Sequence, residues 1–366
     1  MPDLTDRLGG LTPSRGIYIL TIAGAKPHLG WSVNLPRRLS RFLVSSYPGS
    51  GPGKNPFGER IVSVCCWPAG SRLESSLLLY ELAKQHFPQD YRKVLRLKTP
   101  SFVMLRVSDP FPLLEAVNRV PNAGRSVYGP FRTRDAAQAY QQQVEGLFQI
   151  RRCTETLAPD PDHPGCIYGE MNQCLRPCQC AVSADEYAHE VQRVAEFLVT
   201  NGKSSLSTLI TARDRASEQL EFEQASQIQK RIEKLESASK LRDDAIRAAA
   251  DFHGVALTCS ARRLEFQLWP ILGGIWQEPV TLDFSSTQAA SSSLDSHIRT
   301  VLASALEAPV TSGNKLEQLA LFARWYYSSW RDGTWFPFRT PADLNYRRLV
   351  REVSKMAEQG RRSTVR

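Results

Sequence analysis

The chain has 366 residues, 42% hydrophobic and 23% charged, which is enough for two or three domains with cores of their own. Forty-six Lys and Arg against 37 Asp and Glu leave a formal net charge of +9, a balance suited to a polyanion such as nucleic acid and equally to a basic surface kept for solubility. No apolar run approaches the roughly 18 residues of a membrane span, so no membrane partner is expected. The N-terminus MPDLTDRLGG has neither a basic n-region nor an apolar h-region, and a cytoplasmic location with reduced thiols is the expectation.

In chain order, residues 15–22 are β-branched and aromatic and predict a strand. A turn at residues 24–27 and the segment His28-Leu29-Gly30-Trp31 predict the second arm of a hairpin. Leu35, Leu39, Phe42 and Leu43 then recur at helical spacing, with Arg37, Arg38 and Arg41 on the remaining surface, Asn34 as N-cap and Pro36 in the first turn. Residues 48–58 hold four glycines and three prolines and predict a loop. Residues 61–67 predict a third strand. Ser71-Arg72-Leu73-Glu74 has the form of a capping box ahead of a helix carrying Leu73, Leu77, Leu78 and Leu82, and residues 102–107 predict another strand.

Four of the eight cysteines follow at Cys153-x12-Cys166-x7-Cys174-x3-Cys178, with Cys180 just beyond. Pro159, Pro161, Pro164, Pro177, Gly165 and Gly169 break the intervening chain into turns, so these thiols sit on loops able to converge, as a four-thiolate metal site requires. The alternatives are a disulfide pair, which needs an oxidising compartment, and inert cysteines in an apolar setting. Spacing alone leaves zinc and an iron-sulfur cluster both open.

Residues 204–238 place Leu206, Leu209, Ile210, Leu220, Ile228, Ile232 and Leu235 among many charges with no Pro or Gly, predicting an amphipathic helical pair whose apolar stripe needs a partner. Beyond a charged junction at residues 240–247, residues 254–259, 264–269 and 280–284 predict strands of a second sheet, and the serine-rich residues 286–293 predict a loop. Residues 297–306 and 316–330 predict helices. The latter carries Phe322, Trp325, Tyr326 and Tyr327, an aromatic group of the kind that fills a core. From Tyr346 onward Arg347, Arg348, Arg351, Arg361, Arg362 and Arg366 with few acids predict a basic helix fraying into a tail.

The hairpin beginning Gly16-Ile17-Tyr18, the basic helix and the capped leucine-rich helix together resemble a GIY-YIG nuclease domain, and more closely the N-terminal nuclease of the UvrC family of nucleotide excision repair. Tyr128-Gly129-Pro130-Phe131, Ile150-Arg151-Arg152-Cys153 and Cys174-Leu175-Arg176-Pro177-Cys178 resemble further segments of that family. All four cysteine positions match, and the resemblance implies a [4Fe-4S] centre on Cys153, Cys166, Cys174 and Cys178, with Zn as the alternative. Leu220-Glu221-Phe222-Glu223-Gln224-Ala225 resembles the signature of the UVR motif, which implies a UvrB-type partner held by Leu220, Phe222, Ala225 and Ile228.

Phosphodiester hydrolysis needs an activated water, a divalent cation and cationic donors to phosphate. The resemblance assigns these roles to two tyrosines, an arginine and a glutamate. Tyr18, Gly30 and Arg38 match. His28 stands for the second tyrosine, Trp31 and Val33 for two lysines, Leu79 for the metal glutamate and Tyr91 for a later asparagine. Glu81 and Glu74 lie near Leu79 in sequence but are turned from it by about 200° and 500° at about 100° per residue. Two readings follow. One is a repair protein that binds DNA and a UvrB-type partner with its nuclease site impaired. The other is a single-incision, 3′-side endonuclease with His28 as base and Glu74 or Glu81 on Mg or Mn. In either, Lys26, Trp31, Arg37 and Arg41 are candidate DNA contacts.

The expected fold is α+β and multidomain: residues 1–98 GIY-YIG-like, 99–200 a strand, helix and Cys-rich module, 201–240 the UVR-like hairpin, 245–345 an α+β domain like the middle region of UvrC, and 346–366 a basic tail. The family's second nuclease and its helix-hairpin-helix module find no counterpart in this sequence, so 5′ incision is not expected.

Overall fold

The structure, a computed structural model, describes residues 14–43, 60–119, 126–284, 294–307, 309 and 313–362. The loops expected at 48–58 and 286–293, the Leu43 side chain and Arg366 lie outside the described residues. The chain is α+β, built on three small antiparallel sheets, and it divides into two compact units.

The first unit takes residues 1–98, 253–312 and 324–366. Its N-terminal sheet has β1 (Gly16–Ile22) between β2 (His28–Ser32) and β3 (Ile61–Pro68). Gly16 is required there, because a Cβ on it would stand 2.2 Å from the Trp67 carbonyl oxygen of the neighbouring strand. Helix α1 (Leu35–Leu43) starts where expected: Asn34 Oδ1 accepts from the Arg37 amide at 2.9 Å. It buries Leu35, Leu39 and Phe42 against Tyr18, Leu20 and Ile22. At α2 (Arg72–His86), Ser71 Oγ accepts from the Glu74 amide at 3.0 Å, which is one half of the capping box. A short α3 (Tyr91–Leu95) follows.

The second unit takes residues 99–252 and 313–323. Its sheet is ordered β5-β4-β6-β7, from β4 (Ser101–Leu105), β5 (Leu114–Val117), β6 (Val127–Phe131) and β7 (Arg247–Ala248). Helices α4 (Arg134–Glu145), α5 (Ile167–Glu170), α6 (Ala184–Thr200), α7 (Lys203–Glu218) and α8 (Phe222–Lys240) complete it. One core joins Val103, Tyr128, Phe131 and Tyr140 to Tyr187, Phe197, Leu235 and Ala238, so the long helices bury their apolar stripes here. The helical pair expected over 204–238 is thus α7 and α8. It is anchored by Leu235 and Ala238, while the other end of the hairpin leaves Leu220 and Phe222 exposed.

The first unit resumes with a five-stranded sheet. Strands β8 (His253–Cys259), β9 (Glu265–Leu272), β10 (Ile275–Trp276) and β11 (Val280–Asp283) precede α9 (Leu294–Glu307); α10 (Lys315–Tyr326) follows, with its residues up to 323 counted in the second unit, and then β12 (Thr334–Phe338), which pairs with β8. Helix α10 ends four residues before the predicted Trp330, and its Phe322 and Trp325 are buried as expected. Residues 346–362, expected as a basic helix fraying into a tail, form the helix α11 (Tyr346–Arg362), which places Leu349, Val353 and Ala357 in the core of this sheet. The described part of that segment is therefore an integral element. The expected separation of 1–98 from 245–345 also differs from the structure. Asp332 Oδ2 accepts from Arg15 Nη1 at 2.8 Å and from the Arg72 amide at 2.7 Å, tying the late segment to the early one.

Candidate functional site

The β1-β2 hairpin and α1 bring three of the predicted catalytic residues together. Tyr18 lies on β1 opposite Gly30 in register, and its hydroxyl accepts from Arg38 Nε at 3.3 Å. Gly30 leaves the room for that phenol: a Cβ there would stand 2.5 Å from the Tyr18 hydroxyl oxygen. The His28 ring lies 5.9 Å from the Tyr18 ring and 5.9 Å from Phe42, while the Arg38 guanidinium stands 4.9 Å above Phe42. Burial and the positive charge of Arg38 push the His28 imidazole below its ordinary value, so it is neutral near pH 7. A buried phenol, a half-buried neutral imidazole and an exposed guanidinium stand side by side, a set able to bind an anion and accept a proton.

Among the described residues no carboxylate bonds to Tyr18 or Arg38. Leu79, at the expected glutamate position, is half-buried on α2, and Glu81 is exposed. Glu74 has other duties. Its carboxylate accepts from the Gly70 amide at 2.7 Å, and burial pushes its carboxyl up against the hydrogen bonds from Gly70, Ser71 and Gln267. It ties down the turn that precedes its helix and reaches Gln267 on β9 of the same unit.

The expected DNA contacts divide. Arg37 and Arg41 are exposed on α1. Lys26 is exposed and pairs with Asp90 at 3.6 Å, which is worth little in water. Trp31, 45% exposed, stands 5.3 Å from the Arg72 guanidinium, which also lies 4.7 Å from Trp330. One of its faces is thus engaged by a cation. Trp330 joins this stack from a position far along the chain, and no local pattern signals it.

The Cys-rich loops place Cys174 and Cys178 in buried positions and Cys153 and Cys166 in half-buried ones, all as free thiols. Burial pushes the Cys174 thiol up, and Cys153, Cys166 and Cys178 each add to that shift, so the four sulfurs sense one another. The Arg176 amide points at Cys174 Sγ at 3.4 Å and Arg151 Nη1 at Cys153 Sγ at 3.9 Å. Arg151 is fully buried and also donates to Phe111 O, Glu155 O and Asp109 Oδ2, each at 2.7 Å, which fixes the start of the loop. The donor set is the soft kind that zinc and iron-sulfur clusters take, with N–H groups on two sulfurs. Among the described residues, however, no three His, Cys, Asp or Glu side chains are gathered closely enough to hold a metal ion.

At the hairpin tip Leu220 is 72% and Phe222 65% exposed, and Ala225 and Ile228 are partly exposed on the next turns. A groove of about 640 Å³ beside them is lined by Thr208, Thr211, Arg215, Gln219, Gln224 and Ile228. Leu220 adopts a left-handed backbone (φ 61°) that ends the link between the two helices. No described helix is long and apolar enough to cross a membrane.

Residues 101–197 match the model of the UvrC/Cho excinuclease middle domain. The UvrABC system protein C of Acetivibrio thermocellus is 25% identical over 364 residues, covering 98% of this chain and 58% of the relative. That of Ruminiclostridium cellulolyticum is 23% identical over 366 residues, covering 98% and 59%. That of Alcanivorax borkumensis is 26% identical over 227 residues, covering 62% and 37%. The chain therefore spans less than two thirds of the length of these relatives. No solved structure matches it.

Proposed function

We propose that this chain, UvrC-like along its length, acts in nucleotide excision repair as a DNA-binding protein that joins a UvrB-type partner through its helical hairpin, with a GIY-YIG-like site impaired for hydrolysis. The observation that carries the reading is that Tyr18 and Arg38 are bonded to each other with no carboxylate on either, among the described residues. Arg37, Arg38 and Arg41 supply donors to a phosphate. A divalent cation, when bound in such a site, neutralises charge developing on the leaving oxygen, and it needs one or two anionic oxygens from the protein. Leu79 offers none, and the Glu74 carboxylate is committed to Gly70.

A second reading is favoured by one observation, the neutral imidazole of His28 packed against Tyr18. In it His28 accepts the proton of the attacking water while Arg38 holds the phosphate. We further propose that Cys153, Cys166, Cys174 and Cys178 ligate a [4Fe-4S] cluster, whose chemistry here is to cross-link the loops.

The deciding experiment supplies UvrA and UvrB with a damaged duplex and Mg²⁺ or Mn²⁺, and compares the wild type with His28→Ala and Arg38→Ala. Partner binding is read in parallel on Phe222→Ala. The first reading expects no incision, intact partner binding by wild type, and a loss of about 1–4 kcal/mol on truncating Phe222. Incision that requires both His28 and Arg38 selects the second reading. Partner affinity unchanged in Phe222→Ala removes the hairpin from the interface.

A further inference from the structure

Helix α11 has two unlike sides. Leu349, Val353 and Ala357 are buried in the core of the five-stranded sheet, and Tyr346, Val350 and Met356 pack around them. At about 100° per residue, the opposite side collects Arg347, Arg348, Arg351, Lys355 and Arg361 within roughly 140° of arc. All five are exposed. Only Glu358 among exposed residues brings negative charge into that arc.

Here, among the described residues, Arg347, Arg351, Lys355 and Arg361 make no ion pair and no hydrogen bond through their side chains. The Arg348 guanidinium stands 5.4 Å from the Phe336 ring. The helix is also held firmly. Asn345 Oδ1 accepts from the Arg348 amide at 3.0 Å at its start, and Arg263 Nη2 donates to the Gly360 carbonyl at 3.2 Å near its end.

We infer that the outer side of α11 is a binding surface for the phosphate backbone of duplex DNA, separate from the arginines of α1. Charge complementarity and length select the occupant. Arg347, Arg351 and Lys355 are spaced by about 6 Å, and from Arg347 to Arg361 the stripe runs about 21 Å at 1.5 Å per residue. A DNA strand carries a phosphate every 3.4 Å of axis, so the stripe faces about six of them. A membrane surface is the other common target of a basic amphipathic helix, but that mode inserts the apolar side into the acyl boundary. Here the apolar side is spent on the core. The contact is argued for the phosphates, which position a protein on the duplex and carry no base sequence. It adds affinity and orientation to the DNA binding proposed above and rests on that reading.

The test is the binding of the full chain to a fluorescent undamaged duplex between 50 and 200 mM salt. Wild type is compared with Arg347→Gln/Arg351→Gln/Lys355→Gln and with Arg37→Gln/Arg41→Gln. Glutamine keeps helix propensity, and unchanged thermal unfolding verifies the fold. Each phosphate left without its cation lowers the slope of log affinity against log salt by about 0.9, so the slope of the triple variant is expected to fall by about 2.7. Over this fourfold rise in salt the wild type then loses about forty-fold more affinity than the variant. Unchanged slope and affinity in the triple variant, with a loss in the α1 variant, overturns this inference and leaves the proposed function standing. No duplex binding by wild type overturns both. Poly-glutamate labelled in the same way is the control: binding that falls equally for it and for DNA makes α11 a general cationic face and overturns the assignment to DNA, whereas a loss confined to DNA supports it. Vesicles carrying anionic lipid are expected to bind neither protein, and vesicle binding lost in the triple variant overturns it too.

Discussion

His28 is the residue on which the chemistry of the hairpin turns. Its imidazole is pushed below its ordinary value by burial and by Arg38, so the folded chain binds fewer protons there than the unfolded chain. The linkage has a definite sign: the contribution of His28 is fully present above pH 6.5 and is lost as pH falls through the lowered folded value. Thermal unfolding of His28→Gln is therefore expected to depend less on pH below 6.5 than that of the wild type. Identical pH profiles would mean the imidazole is solvated and idle. The resemblance to a GIY-YIG hairpin made the grouping of Tyr18, His28 and Arg38 legible in the sequence, and a hairpin and the next helix hold the three within about twenty residues. The role of Trp31 was not legible. Its neighbour Arg72 comes from α2 and shares its cation with Trp330, a stack set by tertiary packing alone.

Among the elements, the Cys-rich loops join sequence to chemistry most directly. Cys166 caps the four-residue α5, and Cys178 lies in a tight turn flanked by Arg176 and Cys180 in left-handed conformations. The start of this segment is fixed by Arg151, which donates to Phe111 O and Glu155 O. Chain purified without oxygen is expected to carry iron with a broad visible absorbance band, lost together with the metal in Cys174→Ser/Cys178→Ser. Zinc in place of iron would select the alternative metal, and a metal-free chain with the same unfolding curve as the variant would make the thiols inert. The prolines, glycines and thiol spacing revealed these loops in the sequence. Helix α11 carries a comparable signal beneath its charge. Leu349, Val353 and Ala357 recur every four residues, the mark of one buried side, and the surrounding arginines mask it.

On the scale of the molecule, the order of the chain and the order of its cores differ. The first unit is assembled from residues at both ends of the chain, with the second inserted between them. Such an arrangement needs side chains that bind segments distant in sequence, and Asp332 is one. Its Oδ2 accepts from both Arg15 and the Arg72 amide, while Trp325 Nε1 donates to its carbonyl oxygen at 3.0 Å. Close by in chain order, Gly70 approaches the Ser260 carbonyl carbon so tightly that a Cβ would stand 1.9 Å from it. Nothing local in the sequence announces these pairs, since an aspartate between Arg331 and Gly333 reads as a turn. Asp332→Ala removes the acceptor of a half-buried Arg72 amide and of an arginine, at an expected cost of about 1–3 kcal/mol. Hydrogen exchange read peptide by peptide is the measurement. Faster exchange is expected in Gly16–Ile22, in the first turn of α2 and in His253–Cys259 together, because the loss loosens the join between early and late segments. If exchange rises only in the loop around residue 332, the early sheet is held by other contacts, and Asp332 does no more than shape its own turn.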